Sequence, residues 1–390
     1  MKPFSPIEQS FKIAFNYKLH FTESLFSVKN AMFKDIVMGY RSGTRVKVVF
    51  VVDDGVEEHH PSILGDISSY CKTHSETLEL TTLLTVPGGE TSKNDHGNVD
   101  RVLKAINDNH ICRHSFVVVI GGGAVIDMAG YAAAIAHRGI KLIRIPTTVL
   151  SQNDAAVGVK NGINTFGKKN FLGTFAPPYA IINDLRFLTT LERRDWIAGI
   201  SEAVKVALIK DSNFFDYIEQ NAAKLRDRDM ECMQYLIYRC AQIHMQHIAE
   251  GGDPFENGSS RPLDFGHWAA HKLEDMTAYG IRHGEAVAIG MVLDMTYAFL
   301  MGLIEKAVLL RAITVLEQVG FDLRLPLKST KEIDKLLAGI EEFREHLGGQ
   351  LTITLISGIG EKHDVHEIDL PKMREAVNMQ NNLAQLGAHG

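Results

Sequence analysis

The segment Ser115–Asp127, SFVVVIGGGAVID, constrains the fold of this chain most: an uninterrupted apolar run, three consecutive glycines, then a helical pattern. A near-continuous apolar run marks a strand covered on both faces, the habit of parallel sheets. The glycines let the backbone turn at once into a helix, whose first turn offers unpaired N–H groups and a positive dipole end. The spacing is not GxGxxG, so the usual dinucleotide fingerprint is absent. Taken alone, the segment also fits a tight strand–helix turn without a ligand.

The first half of the chain repeats this alternation. Val46–Val52, Lys141–Ile145 and Tyr179–Ile182 read as further buried strands, and 124–136 reads as a helix. Phe11, Ile13, Phe15, Tyr17, Leu19 and Phe21 alternate with mostly polar neighbours, which predicts a half-buried strand. Strands alternating with helices imply a doubly wound α/β layer. Beyond about Asp195 the period changes. Segments 196–209, 213–225, 230–249, 283–302 and 304–319 read as helices, and only 350–356 (QLTITLI) alternates like a strand. The expected architecture is a Rossmann-like α/β domain with a parallel sheet over 1–194 and a mainly α-helical domain over 195–390. With 390 residues, 45% of them hydrophobic, each half can bury its own core.

Charge and cysteine usage narrow the function. The net charge is −6 and no basic block of five or more residues occurs, so a nucleic-acid footprint is not supported. Cys71, Cys112, Cys232 and Cys240 form no CxxC pair, as expected of reduced thiols. No run of 18 apolar residues occurs, and Lys2, Glu8 and Lys12 interrupt the first 15 residues. A soluble, cytoplasmic protein that meets no membrane is the expectation.

Three further groups of residues carry chemistry. VPGGETSK (86–93) is a second glycine turn, with Gly88, Glu90 and Lys93, and Pro146-Thr147-Thr148 ends the strand 141–145. Three such loops at strand ends make a dinucleotide-sized constellation. His267 and His271, in HWAAH, share a face if the segment is helical, His283 opens HGEAVAIG, and Glu202 lies in GISEAVKVALIKD. Two histidines and a carboxylate form a catalytic zinc set that leaves a position for substrate. HWAAH lacks the glutamate of HExxH, which disfavours a zincin protease. Each histidine taken singly fits a core or surface role. Finally, 153–175 gathers Asp154, Lys160, Lys168, Lys169 and Asn170 among glycines, as a phosphate-binding loop or a solvated basic one. Lys205 follows Glu202 by three residues, on the same helix face, and Lys210 comes next.

Taken in order, these motifs resemble 3-dehydroquinate synthase and its sugar-phosphate cyclase relatives. The likeness runs over about 45–360 through VPGGExxK, GGGxxxD, HRG, PTT, D-x5-K-x8-KN, E-x2-K-x4-KD and FGH-x3-H-x11-HGE. The resemblance implies that Glu202, His267 and His283 bind a divalent metal, normally zinc, with cobalt an alternative. It implies that Asp53, Gly88, Glu90, Lys93, Gly121, Gly122, Gly123, Asp127, Thr147 and Thr148 surround NAD. Leu188 and Thr190 match another cofactor-contacting stretch, and Lys160 and Lys169 match lysines near nucleotide and substrate. Asp154, Asn170, Lys205, Lys210, Asp264 and His271 match substrate-side positions. Arg138 matches an arginine that reaches a substrate phosphate across a homodimer. The implied reaction oxidises a seven-carbon sugar phosphate, eliminates phosphate, returns the hydride and closes a carbocycle by an intramolecular aldol step.

Departures from the family pattern bear on the substrate. His244 stands where dehydroquinate-forming members have lysine, and Asp264 stands for asparagine. Arg261 matches a carboxylate-binding arginine only across a shifted gap; Phe343-Arg344-Glu345-His346 replaces DKK; AAVGVK replaces SSxGGK. Losing cations there favours a neutral heptulose phosphate, such as sedoheptulose 7-phosphate, over a keto-acid sugar, whereas retained His271 argues the other way. Two other classes compete. An oxidoreductase resembling glycerol and iron-dependent alcohol dehydrogenases shares the glycine turn and PTT, but typically begins its metal set with aspartate. A non-catalytic scaffold needs neither the metal set nor the lysines.

Overall fold

The β-branched runs of the first half pair into one parallel sheet. The computed structural model describes residues 5–41, 43–255, 262–346 and 349–387. The strands are β1 (Lys18–Thr22), β2 (Val46–Asp53), β3 (Leu78–Val86), β4 (Phe116–Gly121), β5 (Lys141–Pro146) and β8 (Ala180–Asp184), in the order β1-β8-β5-β4-β2-β3. Every pairing in this sheet is parallel; Val51 of β2, for example, pairs with Val119 of β4. Val48, Phe50 and Val52 enter one core layer while Val49 and Val51 enter the other, so helices cover both faces. Because all strands run one way, the loops after β2, β3, β4 and β5 gather along a single edge, where α/β sheets bind ligands.

Two readings of the first half are corrected, and one strand is added. The strand expected from Phe11 to Phe21 begins only at Lys18; Phe11, Ile13 and Phe15 are exposed, because among the described residues no strand lies alongside them. The glycine- and lysine-rich run 153–175 is not a loop. After a π-turn at Ser151–Ala155 it forms an antiparallel hairpin of β6 (Lys160–Thr165) and β7 (Lys168–Phe175), turning at Phe166-Gly167, where both residues have positive φ. Strand β3 was not foreseen, since its side chains are mostly half-buried and its pattern is correspondingly mixed.

From Arg193 onward the described residues are mainly helical, with one hairpin of β9 (Ile353–Gly358) and β10 (Glu361–Val365). The expected helix 196–209 is two, Arg193–Ala198 and Ile200–Lys210, separated at Gly199. Ser212–Arg226, Met230–Glu250, His283–Leu300 and Lys306–Val319 follow as expected, while Thr330–His346 and Leu370–Gly387 were not foreseen. His283–Leu300 is buried from Ala286 to Ala298, as a helix apolar on all sides must be. Packed against it are His267–Met276 and Ile200–Lys210, so the middle of the second half is built around the elements that carry the candidate ligands. Among the described residues, no helix is long and apolar enough to cross a membrane.

Candidate active site

The carboxyl edge of the sheet collects the glycine turns into one cradle. Asp53, at the end of β2, accepts hydrogen bonds from Gly55 N (2.9 Å) and Gly122 N (3.4 Å). A Cβ on Gly88 would overlap the Asp53 carboxylate, and one on Gly121 would lie 2.9 Å from Asp53 Cβ. Both positions therefore need glycine, for close packing of β2, β3 and β4 ends. Gly122 caps the helix Gly123–Ile135, and Thr147 N donates to Gly121 O (3.0 Å). Thr148 Oγ1 meets Ser151 Oγ at 2.8 Å. Thus Asp53, Gly88, Gly121, Gly122, Gly123, Thr147 and Thr148 do share one edge of the molecule.

Glu202, His267 and His283 converge in the second half, with one ligand atom from each lying within 4.8 Å of the others. Glu202 is fully buried in the helix Ile200–Lys210. Its Oε2 is in ion-pair contact with Lys205, one turn along, whereas Oε1 accepts no hydrogen bond among the described residues and faces both imidazole Nε2 atoms at 3.8 Å. The far side of each ring is already engaged. His267 Nδ1 lies 3.0 Å from Phe265 O, and His283 Nδ1 lies 3.2 Å from Glu274 Oε2. Those acceptors fix the Nδ1–H tautomer and turn both Nε2 lone pairs inward, the arrangement that metal-binding histidines show. Burial, reinforced by nearby Lys205, pushes His267 well below its ordinary pKa and keeps it neutral. Burial also disfavours charge on His283, but Glu274 and Glu202 outweigh it and raise its pKa. The same anions would stabilise a cation bound at Nε2. A buried carboxylate oxygen without a donor, facing two inward lone pairs, fits a divalent metal.

Beside the triad lies a polar group centred on Lys205. Burial disfavours its charge, but Glu202, Asp154 and Asp264 overcome this and hold its pKa up. Asp154, from the π-turn, places Oδ1 at 3.0 Å from His244 Nδ1; against the effect of burial, Lys205 and His244 keep this carboxylate ionised. His271 sits one turn beyond His267, its ring 5.7 Å from that of His267 and 6.0 Å from that of His283.

The β6–β7 hairpin spans the two groups. Lys93 Nζ, buried, bonds Asp127 Oδ2 (2.7 Å) and contacts Asn170 Oδ1 on β7. Asn164 Nδ2 donates to Glu90 Oε1 (2.6 Å). On the other side Lys169 Nζ bonds Glu274 Oε1 (2.8 Å), the same carboxylate that orients His283. Arg144, fully buried in β5, anchors the hairpin base through Ala156 O, Gly158 O, Lys160 O and Asn161 Oδ1 at 2.6–3.2 Å. Burial lowers its pKa to about 10. Glu274 and Arg144 escaped the sequence reading. A lone arginine inside an apolar strand and an acid one turn after HWAAH were the available signals.

Not every expected residue joins this cleft. Lys210, at the far end of its helix, approaches His247 Nδ1 (3.3 Å) rather than the triad, and burial and Lys362 lower its pKa. Leu188 is buried in the helical core, and Thr190 Oγ1 meets His60 Nε2 at 2.9 Å. Arg138 is exposed at the opposite, amino edge of the sheet, just before β5. Arg261 and the side chain of His346 lie outside the described residues.

Comparison with known proteins agrees on the lineage of both halves. Residues 83–198 match the 3-dehydroquinate synthase N-terminal family and residues 199–342 the 3-dehydroquinate synthase C-terminal family. A 3-dehydroquinate synthase from Shewanella sp. (strain MR-4) is 35% identical over 276 residues, 70% of this chain and 76% of the relative. Among solved structures, ValA, a 2-epi-5-epi-valiolone synthase from Streptomyces hygroscopicus subsp. jinggangensis 5008 with NAD+ and Zn2+ bound, superposes with a TM-score of 0.86. It is 26% identical, and the match covers 97% of this chain and 100% of that one. A 2-deoxy-scyllo-inosose synthase complexed with carbaglucose-6-phosphate, NAD+ and Co2+ has a TM-score of 0.76 at 23% identity, covering 93% and 96%, and shares the fold.

Proposed function

The chain belongs to the 3-dehydroquinate synthase family, and from that premise we propose that it is a phosphate-eliminating carbon–oxygen lyase that converts a seven-carbon sugar phosphate to a carbocycle. The observation that carries this reading is the buried Oε1 of Glu202, facing two oriented imidazoles. Glu202, His267 and His283 would hold a divalent metal, zinc or cobalt. Asp53, Gly88, Glu90, Lys93, the Gly121–Gly123 turn, Asp127, Thr147 and Thr148 would line the NAD site. Bound there, the metal would supply polarisation of alcohol and ketone oxygens, and NAD would supply reversible hydride transfer.

The chain's own residues supply the rest. The Lys205 ammonium, kept charged by three carboxylates, donates to the substrate oxygen on which negative charge grows. Asp154, steadied by His244, accepts hydrogen bonds from substrate hydroxyls. Lys160, Lys169, Asn170 and His271 offer donors for phosphate, with Arg138 contributed by a second copy in a homodimer. Residues 1–194 act as the nucleotide domain and 195–390 as the metal and substrate domain, in a soluble cytoplasmic enzyme. Overall, phosphate leaves, a ring carbon–carbon bond forms, and the nicotinamide emerges unchanged.

One observation favours a neutral heptulose phosphate over a keto-acid sugar. Asp154 and Asp264 flank Lys205, whose charge is already shared with Glu202, so this end of the cleft is rich in anions and repels a carboxylate. The test offers purified protein, with NAD and zinc, sedoheptulose 7-phosphate and the dehydroquinate precursor in parallel. Phosphate release without net NADH supports the cyclase. Release from the keto acid alone reverses the substrate assignment. Net NADH from a simple alcohol, with no phosphate released, replaces the reading with an alcohol dehydrogenase. Glu202→Ala should lose both metal and activity, and full metal content in that variant refutes the site.

A further inference from the structure

Asp294 is an acid in an otherwise apolar stretch, GMVLDMTYAFL, and it is fully buried. It lies on the helix that begins with His283, eleven residues and so about three turns further along. Among the described residues no cation neutralises it. Instead, Oδ2 accepts from Gly266 N (2.9 Å) and Oδ1 from Trp268 Nε1 (2.8 Å), both buried. These donors flank His267, the first residue of the helix His267–Met276, whose amino end carries a positive dipole. The backbone is shaped to allow this approach. Gly266 has φ +78°, and a Cβ there would lie 2.7 Å from Met291 N, while a Cβ on Gly290 would overlap Gly266 O. The two helices therefore meet without side chains between them, and Asp294 ties the first turn of one to the interior of the other.

We propose that Asp294 is a positioning residue of the metal centre, clamping Gly266 and Trp268 so that His267 Nε2 is held toward Glu202. The inference rests on the metal assignment above. Phe265 O fixes the rotation of the His267 ring, but the place of its backbone depends on the turn that Asp294 grips. A buried carboxylate kept only for stability would gain more from a cation or from replacement by an apolar side chain. This one spends both oxygens on the residues either side of a ligand. Removing it leaves two buried N–H groups unsatisfied and frees the ligand's turn.

The test uses full-length protein, stripped of metal and titrated with zinc alone against a chromophoric chelator, then with cobalt alone. Cobalt's visible bands report ligand geometry independently of turnover. Asp294→Asn should weaken zinc binding about 10–100-fold, the range for loss of a ligand-orienting partner, and shift the cobalt bands. Trp268→Phe, which removes one of the two bonds, should move both readouts in the same direction but less. The double variant should bind zinc no more weakly than Asp294→Asn. Zinc affinity within twofold of wild type in Asp294→Asn and Trp268→Phe, with unchanged cobalt bands, overturns the clamp even if melting temperatures fall. Should Asp294→Asn not fold, Trp268→Phe decides by the same criterion. If Glu202→Ala loses metal while Asp294→Asn keeps it, the clamp alone fails. If Glu202→Ala also keeps it, the metal site and the clamp fall together.

Discussion

Glu274→Gln isolates the carboxylate that joins the hairpin to the ligand set. Burial would raise the pKa of this side chain, yet the hydrogen bond and charge of His283 and the ammonium of Lys169 hold it down at about 2, against an ordinary 4.5. An acid whose pKa is depressed by folding stabilises the native state above its unfolded value and loses that contribution as pH falls through the folded one. A gap of roughly 2.5 units corresponds to about 3 kcal/mol, present at neutral pH and lost between about pH 4.5 and 2. Metal-free wild type and Glu274→Gln should be unfolded in urea across that range. The wild type should be more stable by up to about 3 kcal/mol at pH 7, and the gap should close toward pH 2. In the same variant zinc affinity should fall about tenfold or more, since His283 loses the acceptor that orients it. A stability difference that is constant from pH 7 to pH 2.5 would refute the assigned role of Glu274.

Two further outcomes follow from the packing. Gly284→Ala introduces a Cβ into Ala198 O, a backbone atom that cannot swing aside; the displaced helix start should cost about 1–3 kcal/mol in chemical denaturation and lower zinc affinity by shifting His283. Arg144→Met leaves four acceptors at the hairpin base without a donor. It should destabilise by about 3–5 kcal/mol, and hydrogen exchange should rise first across 156–175.

How much of this was legible from the amino-acid order depended on whether a feature was local. The β4 run and its glycines declare themselves, because a doubly covered strand must be apolar throughout and a tight turn must lack Cβ atoms. The HWAAH pair is likewise local, being one helical turn. The hairpin 160–175 was read as a loop because its exposed strand carries lysines and glycines in place of an apolar alternation; the Arg144 anchor that positions it comes from another strand. Phe11–Phe15 erred in the opposite sense. Alternation predicts what a segment could pair with, and here no strand lies beside it. Residues 202, 267 and 283 come together as a set only through the ordered motifs, whereas Glu274 and Asp294 stand out in the sequence as acids but have partners that lie on another helix.

Near its turn the hairpin is moored on two sides, through Asn170 and Asn164 to Lys93 and Glu90 and through Lys169 to Glu274. A strip of chain fastened to two banks of side chains makes their separation a shared variable. Whatever draws one bank toward its occupant must strain or relax the mooring at the other. Dinucleotide and metal should therefore each change the other's affinity by one common factor, whichever is added first.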